Sequence, residues 1–350
     1  MSKDLEIIRT EIDSIDSEIL RLIGKRFEYA VRTRRLKEAL VDTNREQVIL
    51  ENARKNARWL VSSDFSEKLS KLIVAESKSL QEVTQHLIGF FGVHGSLIET
   101  AIGKIQQPII PVPYESHEEL FNHLQNNTID CAMVPFERVS DSRLEKSLSL
   151  LLDSDLFVVA DVTINPSYAL MTLPESNYRE IKIVYGHPEV LSRSSAFLER
   201  MKLEAHPFHE SAAAALMLRQ DRPLATGVIA PILCAEVYNL HVIKDLTDDK
   251  LFEPARFLQV SKTAAKQGSK TMLYFSTNHS SGTLSAVLDL FSEHKINLLK
   301  IESLSSRGGS TIPFLLEFEG DKNDSNTKSV LSQLSQRSIP YKILGSYSSL

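Results

Sequence analysis

The chain has 350 residues, 42% of them hydrophobic, enough for two or three domains with real cores. Its formal net charge is −5 with no long basic run, which argues against nucleic acid or an anionic membrane as partner. Two cysteines, Cys131 and Cys234, each alone in an apolar context, exclude a disulfide framework and a cysteine zinc site and fit a reducing cytoplasm.

The N-terminal stretch MSKDLEIIRTEID is charged and amphipathic, unlike a signal peptide, and no apolar run reaches membrane-spanning length. Residues 4 to about 38 read as one helix. Leu5, Ile8, Ile12, Ile15, Ile19 and Leu22 recur at alternating spacings of three and four, a coiled-coil-like seam in which Gly24 is tolerated. A second helix is predicted from about Asn44 to Leu60. A third is predicted from the N-capping pair Ser63 and Asp64 to about His86. A first helix this long packs poorly alone, so a homodimer or higher homo-oligomer is expected. From Leu87 the texture changes to α/β: LIGFFG, IDCAMVPF, LFVVADV, IKIVYG, LATGVIA and HVIKDL alternate with helical stretches. SKTAAKQGS at 261–269 reads as a linker. After it, strand, helix, strand, strand, helix and strand follow in the βαββαβ order of a ferredoxin-like unit, with RGGS at 307–310 as a hairpin loop. The fold class is multidomain: all-α over 1–87, α/β over 88–265 and βαββαβ over 268–350.

Beyond Leu22 the buried seam of the first helix turns polar, with Arg26, Thr33 and Lys37. Arg45 and Glu46 open the second helix, and Ser77 and Gln81 form an i, i+4 pair on the third. Several inward cations need an anionic partner, because unpaired buried charge is costly. A small dicarboxylate between arginines satisfies them.

On these residues the first 87 positions resemble the all-helical chorismate mutases, intertwined dimers of three-helix protomers. The resemblance implies Arg9 as the arginine contributed across the dimer and Arg26 as the second carboxylate arginine. It implies Lys37 at the ether oxygen, Asp42, Arg45 and Glu46 as the Asp-X-X-Arg-Glu set, and Ser77 with Gln81 as the polar pair. Rearrangement of chorismate to prephenate is concerted. It needs a dianion held in a compact conformer and charge stabilised on the breaking C–O bond, by Lys37 and Gln81 here. That reaction requires no nucleophile, metal or cofactor.

Residues 88–265 resemble the prephenate dehydratase domain that follows this mutase in bifunctional P-proteins, which implies two α/β lobes around a cleft. FFGVHGS, VPFERVS, YGHPEVL and HESAAAA look like strand-to-helix turns, with Pro188 at a helix start, and such turns aim backbone N–H groups at an anion. Their contents depart from the family. Arg138 and Val139 replace an amide and a hydroxyl, Arg193 and Ser194 replace Gln-Cys, and Ala212 replaces the threonine of Ser-Thr-Ala. The Asn-X-Thr-Arg-Phe signature is Glu253-Pro254-Ala255-Arg256-Phe257. Without the threonine that serves the leaving hydroxyl, dehydration loses an acid typically worth about 10²–10⁴-fold. The domain then resembles the non-aromatising prephenate decarboxylases of antibiotic and other specialised pathways. The expected product is dihydro-4-hydroxyphenylpyruvate plus CO2. Arg256 is expected to clamp a substrate carboxylate with Arg138 second, Arg193 adds charge, and His187 is a proton donor or anion ligand, unless it merely caps its helix. Tyr168 and His209 are weaker candidates. The alternatives are a mutase with a catalytically dead binding domain, or a residual dehydratase of phenylalanine biosynthesis.

The last region resembles an ACT domain, which implies an amino-acid effector. Gly282-Thr283-Leu284 stands in its Gly-Ala-Leu turn. Glu302-Ser303 keeps half of Glu-Ser-Arg-Pro, and Leu304-Ser305 replaces the rest, so a weak response to phenylalanine is expected.

Overall fold

A computed structural model describes residues 3–37, 42–83, 85–137, 143–247, 252–304 and 311–350. The helical part is α1 (Lys3–Arg34), α2 (Thr43–Asn56) and α3 (Ser63–Glu82). Helix α1 runs 32 residues, about 48 Å at 1.5 Å per residue. It stops earlier than the sequence pattern predicts. The amides of Arg35 and Leu36 turn back onto the carbonyls of Arg32 and Thr33 at 3.2 and 3.1 Å, a tightened last turn that ends the helix before Lys37. Asp42 caps α2 by accepting from the Arg45 amide at 2.9 Å, and Ser62 caps α3 by accepting from Phe65 at 3.2 Å. Helix α2 also ends early, at Asn56, where Ala57 takes an extended conformation. The α1 seam stays on the surface: Leu5, Ile8, Ile12, Ile15, Ile19 and Leu22 remain 39 to 57% exposed.

The first lobe contains β1 (His86–Phe91), α4 (Leu97–Ile102), β2 (Ile109–Tyr114), α5 (His117–Gln125), β3 (Cys131–Glu137), α6 (Arg143–Leu152) and β4 (Phe157–Ile164). The chain then crosses to a second lobe. That lobe holds β5 (Tyr168–Thr172), β6 (Ile183–Gly186), α7 (Pro188–Arg193), α8 (Ser195–Met201), β7 (Glu204–Pro207), α9 (Ser211–Asp221), β8 (Thr226–Pro231), α10 (Leu233–Tyr238) and β9 (His241–Asp245). Strand β10 (Ala255–Ser261) returns to the first lobe, between β3 and β4 and antiparallel to both. The C-terminal unit is β11 (Lys270–Asn278), α11 (Thr283–Glu293), β12 (Leu298–Ser303), β13 (Thr311–Glu319), α12 (Ser325–Gln336) and β14 (Tyr341–Ser349).

Lobe 2 is a five-stranded sheet, β7-β6-β8-β5-β9. Lobe 1 and the C-terminal unit share one nine-stranded sheet, β12-β13-β11-β14-β4-β10-β3-β1-β2, joined where β14 runs parallel to β4. Gly345 permits that approach, because a Cβ there would lie 2.1 Å from the Val158 carbonyl oxygen. Met272, Leu315, Leu344 and Tyr347 of the C-terminal unit sit in the same apolar core as Val134, Val158, Leu258 and Val260, and Val31 of α1 docks into it as well. The C-terminal sheet order is that of the expected βαββαβ unit. Strand β2 was not legible in the sequence, because Pro111 and Pro113 interrupt it. It tolerates them as the edge strand, paired on one side with β1. No described helix is long and apolar enough to cross a membrane. RGGS at 307–310 lies outside the described residues.

Candidate functional sites

In the helical part, α1 and α3 bring Arg26, Ser77 and Gln81 together. Arg26 Nη1 donates to Ser77 Oγ at 2.5 Å and to the Ile73 carbonyl at 3.4 Å. Gln81 Nε2 donates to the Ala30 carbonyl and to Thr33 Oγ1. Burial, and behind it the like charge of Arg45, pushes the Arg26 guanidinium below the ordinary arginine value. The Arg26 guanidinium is half-buried with Ser77 Oγ beside it, while Arg45 is exposed and reaches it as a like charge; a half-buried guanidinium is suited to an anion. The other expected residues stand apart. Glu46 pairs with Lys78 at 2.7 Å. Asp42 is the α2 cap. Lys37 lies on an exposed turn past the end of α1, its carbonyl accepting from Arg34 Nη1 at 3.2 Å. Arg9 is 17 residues from Arg26 along α1, about 25 Å of helix, so it cannot serve the Arg26 site of its own chain.

The second site lies between the lobes. From lobe 1 comes the turn Gly92–Ser96, which needs glycine: Gly92 has φ +119° and Gly95 φ +82°. Helix α10 of lobe 2 closes onto it. Cys234 Sγ donates to the Gly95 carbonyl at 3.2 Å and Tyr238 Oη to the His94 carbonyl at 2.6 Å. Glu210, just ahead of α9, lies against the same turn, 3.1 Å from where a Gly92 Cβ would sit. The Tyr168 ring packs tilted against Phe252, centroids 4.3 Å apart, where the chain crosses between lobes. Burial, with help from carboxylates that include Glu210, pushes the Tyr168, Cys234 and Tyr238 protons far above their ordinary range, so these groups stay neutral.

His187 caps α7, its Nδ1 accepting from the Glu189 amide at 3.4 Å, while its own amide donates to Ser211 Oγ at 3.0 Å. Arg193 is exposed and pairs with Glu189 at 2.8 Å. His209 is exposed and its ring packs tilted against Phe208, centroids 4.7 Å apart. Arg138 lies outside the described residues.

Strand β10 puts Ala255 and Arg256 on opposite faces. Ala255 is fully buried with Phe257 in an apolar cluster that includes Ile88, Phe90, Ile98 and Ile164. Arg256 faces the other side, toward the C-terminal unit. Its Nε donates to Asp161 at 2.5 Å and its Nη1 to Glu317 at 2.7 Å and Glu137 at 3.5 Å, while Nη2 meets Glu317. Lys270 reaches Asp161 at 2.9 Å, and Tyr347 Oη donates to Glu317 at 2.8 Å. Asp161 and Glu317 are almost completely buried. The expected carboxylate clamp is thus turned from the cleft and engaged by protein carboxylates. Sequence periodicity puts Ala255 and Arg256 on opposite faces of a strand, but only the fold says which face meets the cleft. The missed partners, Asp161 and Glu317, had one sequence signal: an acidic residue inside an otherwise apolar strand (FVVADVTI, TIPFLLEFE).

Residues 88–265 match the family described as prephenate dehydratase, and residues 8–82 match chorismate mutase type II. A bifunctional chorismate mutase/prephenate dehydratase of Aquifex aeolicus is 25% identical over 99% of this chain and 98% of its own length. A prephenate dehydratase of Arthrobacter aurescens, solved in complex with L-Phe, superposes with a TM-score of 0.68 at 22% identity, covering 75% of this chain and 90% of that one. GqqA, described as a novel type of quorum quenching acylase, superposes with a TM-score of 0.69 at 22% identity, over 76% of this chain and 98% of its own. At such identity the two superpositions establish the fold.

Proposed function

The chain belongs to the prephenate dehydratase family and carries a chorismate mutase type II segment ahead of that domain, and from this premise we propose that it is bifunctional: the helical part rearranges chorismate to prephenate, and the cleft acts on prephenate. The observation that carries the first half is the half-buried Arg26, hydrogen-bonded to Ser77, with Gln81 on the same face of α3 reaching Thr33 of α1. Arg26 and Arg45 are then read as holding the two carboxylates of chorismate. In this reading Gln81 and Lys37 donate to the ether oxygen, which requires the turn bearing Lys37 to fold inward over substrate. Asp42, Arg45 and Glu46 order the α2 end of the site. The exposed α1 seam pairs with a second copy, which brings Arg9 to the site from its partner.

For the cleft we read decarboxylation without aromatisation. Supporting it is Ala255, whose methyl group sits in an apolar cluster and offers no proton to a leaving hydroxide. The ring carboxylate leaves as CO2, its C–C electron pair enters the ring diene, a proton is added at ring carbon, and the hydroxyl stays. His187 is proposed to serve that proton: with Nδ1 accepting a backbone N–H, Nε2–H is the group left to orient the water that supplies it, or to donate to a substrate carboxylate. Arg138 and Arg193 remain the proposed cations for the dianion. The C-terminal unit is read as an ACT-type module for an amino-acid effector. The test is to feed chorismate, then prephenate, to purified protein and read products by NMR without acid. Loss of CO2 with retained hydroxyl and vinylic ring protons fits the proposal. Phenylpyruvate would make the cleft a dehydratase with another acid, and chorismate left unchanged would remove the mutase reading.

A further inference from the structure

Helix α1 carries a second stripe beside its apolar seam. Glu11, Ser14 and Glu18 face lobe 2 and Glu28 and Arg32 face lobe 1, and Arg35 in the turn just past the helix continues the heptad spacing on the lobe 1 side. On lobe 2, the buried Arg219 donates to the Ser14 carbonyl at 2.9 Å and to its hydroxyl at 3.2 Å, and Arg222 reaches Glu11 at 3.2 Å. On lobe 1, Arg35 holds Asp130 at 2.7 Å, and the Arg32 guanidinium lies 5.2 Å from the centre of the Tyr114 ring. One helix therefore spans both lobes, and the same helix carries Arg26.

The contact between them centres on His94, in the cleft turn of lobe 1. Its Nε2 lies 3.1 Å from Glu28 of α1 and its Nδ1 3.0 Å from Glu99 of α4. Two carboxylates accept at once only from a ring protonated on both nitrogens. Glu99 also accepts from the Gly95 amide at 2.6 Å, Arg32 lies 3.4 Å from Glu28, and Tyr238 of lobe 2 donates to the His94 carbonyl. Helical part and lobe 1 thus meet at the His94 ring, and lobe 2 at its backbone carbonyl.

We infer that His94 is a positioning residue that couples the two sites: it fixes α1, and with it Arg26, to the cleft turn, so that ligand bound among the helices stiffens the turn. The functional readout rests on the mutase reading above. The joint itself does not. Burial disfavours the charged ring, but Glu28 and Glu99 outweigh it and raise its titration to about 9 from an ordinary 6.5. The folded value is raised, so the joint is complete below about 6.5 and is lost as pH rises through about 9.

The probe is an oxabicyclic dicarboxylate shaped like the rearrangement's transition state, added to the full-length chain at neutral pH and followed by hydrogen exchange. Expected is slower exchange over residues 92–99 in the parent protein, and no change there in His94→Gln or Glu28→Gln, although calorimetry shows the probe still bound. Protection that survives in both variants, or its absence in the parent with probe bound, overturns the coupling. If the probe binds nowhere, the mutase reading fails, and NMR titration of His94 decides the joint: a midpoint near 9 that falls by a unit or more in Glu28→Gln supports it, and one near 6.5 sinks it.

Discussion

Replacing Arg256 with methionine keeps an unbranched side chain of similar reach and deletes the cation. Asp161 and Glu317 are then left buried together, with Lys270 as the cation the structure places near both, at 2.9 and 3.6 Å. Tyr347 still donates to Glu317, but one carboxylate charge is uncompensated. Stranding a buried charge by removing its partner costs about 3–5 kcal/mol. For a cooperative unit of this size that lowers Tm by roughly 6–20 °C. The pH dependence gives a second signature. Burial alone raises both carboxyls; Arg256 and Lys270, with Tyr347 for Glu317, overcome it and hold both below the usual range. In the parent these depressed groups stabilise the fold above their unfolded values, and that contribution is lost as pH falls through the folded ones. In Arg256→Met the burial is no longer overcome and at least one folded value rises above the unfolded one. The charge then destabilises at neutral pH and is relieved by protonation, so the Tm deficit should shrink from pH 8 to pH 5. Differential scanning fluorimetry across that range, beside prephenate turnover, reads both effects. A variant within 2 °C of the parent at every pH, but with a KM for prephenate raised about a hundredfold, a loss of about 2.7 kcal/mol of binding, would refute the reasoning and return Arg256 to the cleft.

Arg26→Ala should lower chorismate turnover by about 10²–10³-fold, the scale of losing a preorganised donor, with far-UV circular dichroism unchanged; near-parental turnover would remove Arg26 from the site. Gly345→Ala forces a methyl against the Val158 carbonyl, where 2.1 Å is available. It should cost about 3 kcal/mol, the upper end of ordinary overpacking, and limited proteolysis should then release the C-terminal unit before the lobes. Ile12→Glu with Ile15→Glu should turn the assembly monomeric by sedimentation and abolish mutase activity, while the circular dichroism of the α/β part persists; a dimer that survives both substitutions would place the subunit contact elsewhere.

Local pattern was sufficient for much of this chain. The spacing of Leu5 to Leu22 predicts α1, and the apolar runs from Leu87 onward give most strands of both lobes. The last 80 or so residues give their βαββαβ order directly, since each of these elements buries a face set by its own period. The Arg26, Ser77 and Gln81 cluster was also visible, as polar residues on a face that should be apolar. The fold alone decided the rest. Pro111 and Pro113 obscured β2, which is a strand because an edge needs one partner. Lys37 looked helical, and a tightened turn ends α1 before it. The sequence around Arg256 points to a ligand, but its partner Glu317 lies 61 residues away in another unit. The polar stripe of α1 carries no local signal of its partners: Glu28 meets His94 66 residues on, and Ser14 meets Arg219 205 residues on. Periodicity states which residues share a face. What that face meets is set by contacts between distant segments, and a charged group's role follows from the partner it finds there.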